Sequence, residues 1–591
     1  MKKNVITILV DSVFSECLSA GRTQESSTPF IDSLIENGIY TPNVYSYGPY
    51  TDAATKGLYS GHPTLRDYGY YYGLNSSEHY HFRTFHDNGY ETYAFYYPYY
   101  LVGSKVRQYI DHTVFSGGFD YPAVMLGKFG YYAEKKKYCE LSEIEYTILV
   151  NYTKLLFDCW LNFYRKMESD PEASMILGSL PNERKKNYQI LETEFTLFNK
   201  DNISYVNGIL DQGMNHIFAK IRDYVYDDAI DGDWLEKHVY RPYRDFFRVL
   251  DKKEFLLNLK NNRFDVLKIL TDKVYLKNAI LCLISGKYSR KVSKKPEWEL
   301  VSSMQKKVEV VADLLKHRRQ TDKPFYISIH TEEPHNSITY FTYDIQDESL
   351  IKEEIEYMEP LLKNCGSNFK GNLLYQLSLR YVDLCFKRLF DKLQELDLLE
   401  DTTIIMIADH GASYTYNPIR NTVVNNFHKE NYKTPFLIWN GGNTTYNGFD
   451  FKGMYSAEDV QKTICTVLGI NTPKDYTGYS LTELPEGREY VITEYMGPGC
   501  PDMISRDVWL SARNNMYMVA FKAPISKSFE FARMVEVYDL VKDPLEMHNI
   551  VDTIDTFAIS QLVSAVHRRF EEIQQETKLF VDDLEHWNIL K

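Results

Sequence analysis

Apolar runs near both ends of the chain enclose a long stretch with a helical pattern. Predominantly apolar segments occupy residues 5–10, 325–329 and 404–408, and such runs are typical of strands buried on both faces of a parallel sheet. The segment TPFIDSLIENG begins with Thr-Pro and ends with Gly, as amphipathic helices do. Strands that alternate with helices predict an α/β fold with a mostly parallel central sheet flanked by helices.

The pattern changes twice along the chain. From about residue 121 to 320 it becomes charged, aromatic and helical, as in SEIEYTILVNYTKLLFDCWLNFYRKM. From about residue 481 it becomes a series of short strands followed by a closing helix near 554–577. We therefore predict a catalytic core in two parts (1–120 and 321–480), a helical insertion or cap (121–320) and a small C-terminal α+β subdomain (481–591).

Composition excludes several classes of protein. A chain of 591 residues with 44% hydrophobic residues can bury more than one core. Its net charge of -14 disfavours nucleic-acid binding, and an anionic substrate would require a cation nearby. No apolar run approaches the length of a membrane span, and the run 5–10 ends too early, at Asp11, for a signal peptide. Eight scattered cysteines without a CxxC pair favour a cytoplasmic protein with reduced thiols.

Polar groups end the three apolar runs. Asp11 follows the first, His330 the second, and Asp409 with His410 the third. Because ligands of open α/β sheets lie at the carboxyl ends of the strands, we expect these side chains to converge. Two carboxylates with an imidazole suit manganese or zinc.

A candidate nucleophile lies in the segment YGPYTDAATKGLYSGHP. Thr51 and Thr55 follow a Gly-Pro turn at the start of a short helix, where backbone N–H groups favour an anion. A threonine hydroxyl beside a cation loses its proton more easily. Taken singly, each residue is better interpreted as structural: Asp11 as a polar strand end and Thr51 as an ordinary helix cap.

In order along the chain, these segments resemble the sulfatase family of the alkaline-phosphatase superfamily. NVITILVDS resembles its opening strand and metal-binding acid, and the segment from TPFIDSLIENG to GLYSGHP resembles the part that carries its nucleophile. PHNS, TTIIMIADHG and EVYDLVKDPLEMHNIV resemble its substrate histidine, metal pair and C-terminal hallmark. The resemblance covers about residues 1–120 and 321–550 and implies an alkaline-phosphatase-like fold.

One departure from the family pattern concerns the nucleophile. Sulfatases carry a Cys-x-Pro-x-Arg type motif, whereas Thr51-Asp52-Ala53-Ala54-Thr55 stands here. A threonine nucleophile is typical of the phosphorus branch, which includes the phosphoglycerol and phosphoethanolamine transferases and nucleotide phosphodiesterases. The resemblance implies that Thr51 is the nucleophile.

The resemblance also implies a ligand set and substrate contacts. The metal ligands would be Asp11, Thr51, Asp409 and His410. The histidines His330, His335 and His428 would contact the substrate, and the last two would also take part in catalysis.

These observations predict a metal-dependent hydrolase or transferase. It would cleave or transfer a phosphoryl-type ester, such as a phosphodiester, a phosphonate or a phosphoglycerol or phosphoethanolamine group, through a covalent threonine intermediate. The expected cofactor is one divalent metal, Mn²⁺ or Zn²⁺ in preference to Ca²⁺ or Mg²⁺. The expected partner is a small-molecule or glycan substrate with an anionic ester, with no nucleic acid and no membrane span. Two alternatives stay open: a sulfuric ester hydrolase with an atypical nucleophile, and a non-catalytic relative that binds a glycan or a partner.

Overall fold

The fold is described by a computed structural model, in which two compact units comprise residues 1–113 with 302–586 and residues 114–301 with 587–591. The structure describes residues 2–18, 26–67, 69–70, 73–96, 106, 108–115, 136, 140–141, 143–169, 176–177, 181–212, 224–225, 276, 280, 304–318, 323–331, 333–335, 369–412, 427–439, 449–496 and 507–586.

The described strands, in chain order, are β1 (Asn4–Val10), β2 (Ile39–Tyr45), β3 (Glu91–Tyr96), β4 (His112–Phe115), β5 (Ile176–Leu177), β6 (Tyr224–Val225), β7 (Phe325–Thr331), β8 (Thr402–Ile407), β9 (Lys433–Trp439), β10 (Phe449–Asp450), β11 (Tyr455–Ser456), β12 (Val491–Tyr495), β13 (Asp507–Arg513), β14 (Tyr517–Pro524) and β15 (Arg533–Asp539). The described α-helices are α1 (Pro29–Glu36), α2 (Thr51–Ser60), α3 (His81–Asp87), α4 (Glu143–Ser169), α5 (Pro181–Lys200), α6 (Asn202–Gln212), α7 (Met304–His317), α8 (Phe369–Glu395), α9 (Lys429–Tyr432), α10 (Ala457–Leu468) and α11 (Ser560–His586).

The first unit is built on a mixed, mostly parallel sheet. Its strand order is β10-β2-β9-β8-β1-β7-β3-β4, with β11 also paired to β2. Strand β1 runs parallel to both β7 and β8, while β9 runs antiparallel to β2 and β8. Every residue of β7 and β8 is buried, which explains why both sequences are apolar without alternation. The predicted fold class is confirmed.

The helices of the first unit pack against one another. Helix α2 packs against α10, and α8 packs against α1 and α7. Helix α2 ends at Gly61, whose φ is +65°. A Cβ atom at Gly61 would lie 2.7 Å from the ring of Tyr476, so both the left-handed backbone and the close contact require glycine.

The C-terminal part of the first unit is an antiparallel sheet with the order β12-β13-β14-β15. Helix α11 packs against β13 and β14. It begins at Ser560 and extends to His586, so it is longer than the expected closing helix. The short strands expected after residue 481 are therefore present as one small sheet.

The described part of the second unit is mainly helical. Helices α4, α5 and α6 pack against one another, with Phe157, Phe198 and Tyr205 in contact at their centre. Helix α7, which the sequence analysis assigned to the insertion, belongs to the first unit. Among the described residues, no helix is both long and apolar enough to cross a membrane.

Candidate metal and nucleophile site

Asp11, His330 and Asp409 meet at the carboxyl edge of the central sheet. Asp11 directly follows β1, His330 is the last residue but one of β7, and Asp409 lies two residues after β8. Because β1 is parallel to both neighbours, the three chain segments reach the same edge. One ligand atom from each side chain lies within 4.8 Å of the other two. All three residues are buried.

His410 directs one ring nitrogen toward the two carboxylates. Its Nε2 lies 3.7 Å from Asp11 Oδ1 and 3.5 Å from Asp409 Oδ2. Its Nδ1 lies 2.8 Å from the carbonyl oxygen of Gly411. Because a carbonyl only accepts, Nδ1 donates to it, and Nε2 is the ring nitrogen that faces the carboxylates.

Glycine at position 411 is required by the packing of this turn. A Cβ atom there would lie 1.9 Å from the carbonyl oxygen of Glu430. The Gly411 N–H donates to the carbonyl of Asn431 over 2.8 Å. The turn after Asp409 is thereby held against the segment around α9, which fixes the direction of His410.

Ser12 orients both carboxylates. Its φ is +60°, a left-handed conformation that turns the chain sharply after β1. Its N–H donates to Asp409 Oδ1 over 3.0 Å, and its hydroxyl donates to Asp11 Oδ1 over 2.7 Å. The second oxygen of Asp409, Oδ2, is buried and accepts no hydrogen bond from the described residues.

The electrostatics of this cluster fit a divalent cation. Burial raises the pKa of Asp11, but the neighbouring His335, His330 and His410 outweigh it and hold this pKa well below its usual range. Burial and the charge of Asp11 together raise the pKa of Asp409. Two buried carboxylates disfavour each other's ionisation. A dication between them would stabilise both charges and would satisfy Asp409 Oδ2.

Thr51 begins α2 beside this cluster. Its Oγ1 lies 3.4 Å from His410 Nε2, and the residue is partly exposed. Its position at the N-terminus of a ten-residue helix places N–H groups and the positive end of the helix dipole nearby. Thr55 is different, because it is buried and its hydroxyl donates to the Thr51 carbonyl over 2.7 Å.

The three other predicted histidines have different surroundings. His330 lies in the buried cluster, with its Nε2 3.5 Å from Asp11 Oδ2. His335 is exposed, and its ring centroid lies 6.3 Å from that of His410. His428 is buried, with its Nδ1 3.2 Å from Glu546 Oε2.

Glu546 is a buried partner that the sequence analysis did not single out. It lies in the DPLEMHN hallmark and also accepts from Arg513 Nη1 over 2.5 Å and from the Lys429 N–H over 3.1 Å. Burial raises its pKa, but Arg513 and His428 overcome this effect and lower the pKa of Glu546 to about 2. The only signal in the sequence was the hallmark itself, since His428 is 118 positions away.

The profile of the sulfatase family matches residues 3–177 and 208–470. The chain belongs to the sulfatase family. Members of this superfamily are hydrolytic enzymes that generally bind a divalent metal, and the cluster of Asp11, His330 and Asp409 fits such an ion. The resemblance to sulfatases that we drew from the motifs is thereby confirmed.

Two curated relatives match parts of the chain. An arylsulfatase of Clostridium perfringens is 24% identical over 259 residues, which is 40% of this chain and 51% of the relative. PehA of Trinickia caryophylli, a multifunctional alkaline phosphatase superfamily protein, is 31% identical over 108 residues, which is 18% of this chain and 21% of that protein. The match thus spans about half of the sulfatase relative and a smaller share of the other.

Solved structures share the fold across most of the chain. The phosphonate monoester hydrolase of Agrobacterium radiobacter has a TM-score of 0.51 at 14% identity, and the match covers 98% of this chain and 96% of that one. A Bacteroides thetaiotaomicron protein, described within the metabolism of multiple glycosaminoglycans, has a TM-score of 0.52 at 12% identity and covers 98% and 97%. At these identities the likeness concerns the fold alone.

Proposed function

We propose that this sulfatase-family protein is a metal-dependent enzyme that cleaves or transfers a phosphoryl-type ester through a covalent intermediate on Thr51. The observation that carries the proposal is the position of a threonine hydroxyl, 3.4 Å from His410 Nε2, beside a buried pair of carboxylates. A threonine has no route to the aldehyde that sulfatases make from Cys or Ser. The chemistry therefore has to use the hydroxyl itself.

The residues around Thr51 fit a divalent metal. Asp11, Asp409 and His410 would hold the ion together with the Thr51 oxygen, and the mixed oxygen and nitrogen donors favour Mn²⁺ or Zn²⁺. A bound metal would supply charge that lowers the pKa of the Thr51 hydroxyl and polarises a non-bridging oxygen of the ester.

Catalysis would proceed by double displacement. The Thr51 oxygen forms a bond to phosphorus while the bond from phosphorus to the leaving oxygen breaks, and the hydroxyl proton passes to solvent. The leaving oxygen takes its proton from His335 or His428. Water or an acceptor hydroxyl then attacks phosphorus, the bond to Thr51 breaks, and the threonine regains a proton. The choice between water and another hydroxyl separates a hydrolase from a transferase.

The substrate class follows from the charge of the site. The positive end of α2 and the exposed His335 favour an anionic ester on a small molecule or a glycan, within a protein whose net charge is -14. The match to PehA, an alkaline phosphatase superfamily protein, supports a phosphorus ester. The arylsulfatase relative supports a second candidate, a sulfuric ester hydrolase that uses Thr51 directly.

Turnover of matched esters tests the proposal. After removal of metals with EDTA, the protein would be assayed with an aryl phosphate diester, an aryl phosphonate monoester and an aryl sulfate, adding Mn²⁺, Zn²⁺ and Ca²⁺ in turn. We expect the phosphorus esters to be cleaved, and Thr51→Ala to lower kcat by at least about 1,000-fold. Thr55→Ala is the matched control because its hydroxyl is already bonded to the Thr51 carbonyl. Preference for the aryl sulfate would favour the second candidate, and unchanged activity of Thr51→Ala would refute the nucleophile.

A further inference from the structure

His330 is placed differently from a side chain that meets a substrate. It is only 2% exposed, whereas His335, five residues later, is exposed. It belongs to β7 and is paired in register with Leu9 of the neighbouring strand β1. The Nζ atom of Lys307, itself buried, donates to the His330 carbonyl over 2.5 Å. The backbone at His330 is thus fixed from two sides, and its side chain is buried.

The ring of His330 lies against the carboxylates of the candidate metal site. Its Nε2 is 3.5 Å from Asp11 Oδ2, at the outer limit for a hydrogen bond. One ring nitrogen of His330 belongs to the group of ligand atoms within 4.8 Å of one another that Asp11 and Asp409 complete. This separation is also compatible with two ligands that bind one cation at about 2.0–2.1 Å each.

Together with His410, His330 makes the donor set rich in nitrogen. His410 presents Nε2 to Asp11 and Asp409, because its Nδ1 is bonded to the Gly411 carbonyl. Two imidazoles and two carboxylates would then be available to one cation. Imidazole suits Zn²⁺ and related transition metals, while Ca²⁺ prefers oxygen ligands.

We propose that His330 is a metal ligand, not a substrate contact, and that its imidazole makes the centre select Zn²⁺ or Mn²⁺ over Ca²⁺. The inference rests on the metal-dependent site proposed above. It assigns different roles to His330 and His335. His330 holds the metal from inside the sheet, and His335 faces the substrate from the loop. As a ligand, His330 would give the lone pair of Nε2, and its ring proton would then be on Nδ1.

Counting coordinated imidazoles tests this inference without any substrate. The metal-free protein would be loaded with one equivalent of Cu²⁺ as a spectroscopic probe, and the remote ring nitrogens would be counted by electron spin echo modulation. We expect two imidazoles in the unaltered protein, and one each in His330→Gln and His410→Gln. His548→Gln is the control and should keep two, because its side chain is exposed at 82%. A single imidazole in the unaltered protein, or two in His330→Gln, would overturn the assignment.

Metal affinity gives a second readout. Calorimetric titration with Zn²⁺ and Ca²⁺ should show that His330→Gln weakens Zn²⁺ binding by more than about 100-fold, beyond the usual effect of an outer-shell partner. Ca²⁺ binding should change much less. Equal losses for both ions would contradict the proposed selectivity.

Failure of this inference is separable from failure of the proposed function. Two imidazoles without turnover of any ester would leave the ligand assignment intact and refute the reaction. Turnover that depends on Thr51, in a protein whose metal is not bound by His330, would support the reaction and refute the ligand assignment. Circular dichroism of each variant checks that the fold is kept, and the unaltered protein alone decides the count if His330→Gln does not fold.

Discussion

Replacing Glu546 by Gln tests the buried network that holds His428. Glu546 is buried and receives hydrogen bonds from Arg513, His428 and the Lys429 N–H. Glutamine keeps the size of the side chain but removes its charge. Arg513, which is also buried, would then lose its only carboxylate partner among the ion pairs that the described residues form.

The expected loss in the free energy of unfolding follows from the pKa of Glu546. In the folded protein the pKa of Glu546 is lowered from 4.5 to about 2. The ionised side chain therefore stabilises the fold fully at pH values above 4.5, the pKa in the unfolded chain. The shift corresponds to about 3 kcal/mol at pH 7 and to about half of that at pH 3. This stability is lost as the pH falls from about 4.5 toward 2. Removing one partner of a buried ion pair generally costs about 3–5 kcal/mol, which agrees.

Equilibrium urea unfolding measures the effect. The free energy of unfolding would be obtained at pH 7 and pH 3 from circular dichroism and tryptophan fluorescence, with coincident transitions as a requirement. We expect Glu546→Gln to be less stable at pH 7 by about 3 kcal/mol, with a smaller difference at pH 3.

A matched control is Glu395→Gln, which breaks the exposed Lys392–Glu395 pair at 2.6 Å. This exposed pair should contribute no more than about 1 kcal/mol. A Glu546→Gln protein as stable at pH 7 as this control would refute the argument from burial.

Two further substitutions have defined outcomes. Burial raises the pKa of Asp383 to about 6, so the folded protein loses stability, by about 3 kcal/mol, as the pH rises from about 4 to 6. Asp383→Asn should abolish this slope in urea unfolding, and an unchanged slope would contradict it. Gly411→Ala would place a methyl group 1.9 Å from the Glu430 carbonyl oxygen. It should therefore displace His410 and weaken Zn²⁺ binding in calorimetry, whereas unchanged binding would show that the turn can shift without effect.

The sequence predicted the elements whose signal is local. The apolar runs before Asp11, His330 and Asp409 identify buried parallel strands, and parallel strands bring their carboxyl ends to one edge. Thr51 was recognisable from its Gly-Pro turn and from the motif that follows it. Its role as nucleophile stays a prediction.

Other features depend on contacts between distant parts of the chain. The apolar run of β7 does not reveal that the ring of His330 faces Asp11 and not solvent. The left-handed backbone of Ser12 and its bond to Asp409 span 397 positions. Helix α7 has the same charged, amphipathic pattern as the helical insertion, yet it packs on α8 in the first unit. Local periodicity does not indicate which other element a helix packs against.

The central claim is that Thr51 becomes covalently modified during turnover. The metal-loaded protein would be mixed with an aryl phosphonate monoester, quenched in acid within the first turnovers, digested and analysed by mass spectrometry. We expect the phosphonyl group on Thr51, and no adduct in Thr51→Ala, while Thr55→Ala still forms it. An adduct on another residue, or product formation by Thr51→Ala at the unaltered rate, would contradict the account.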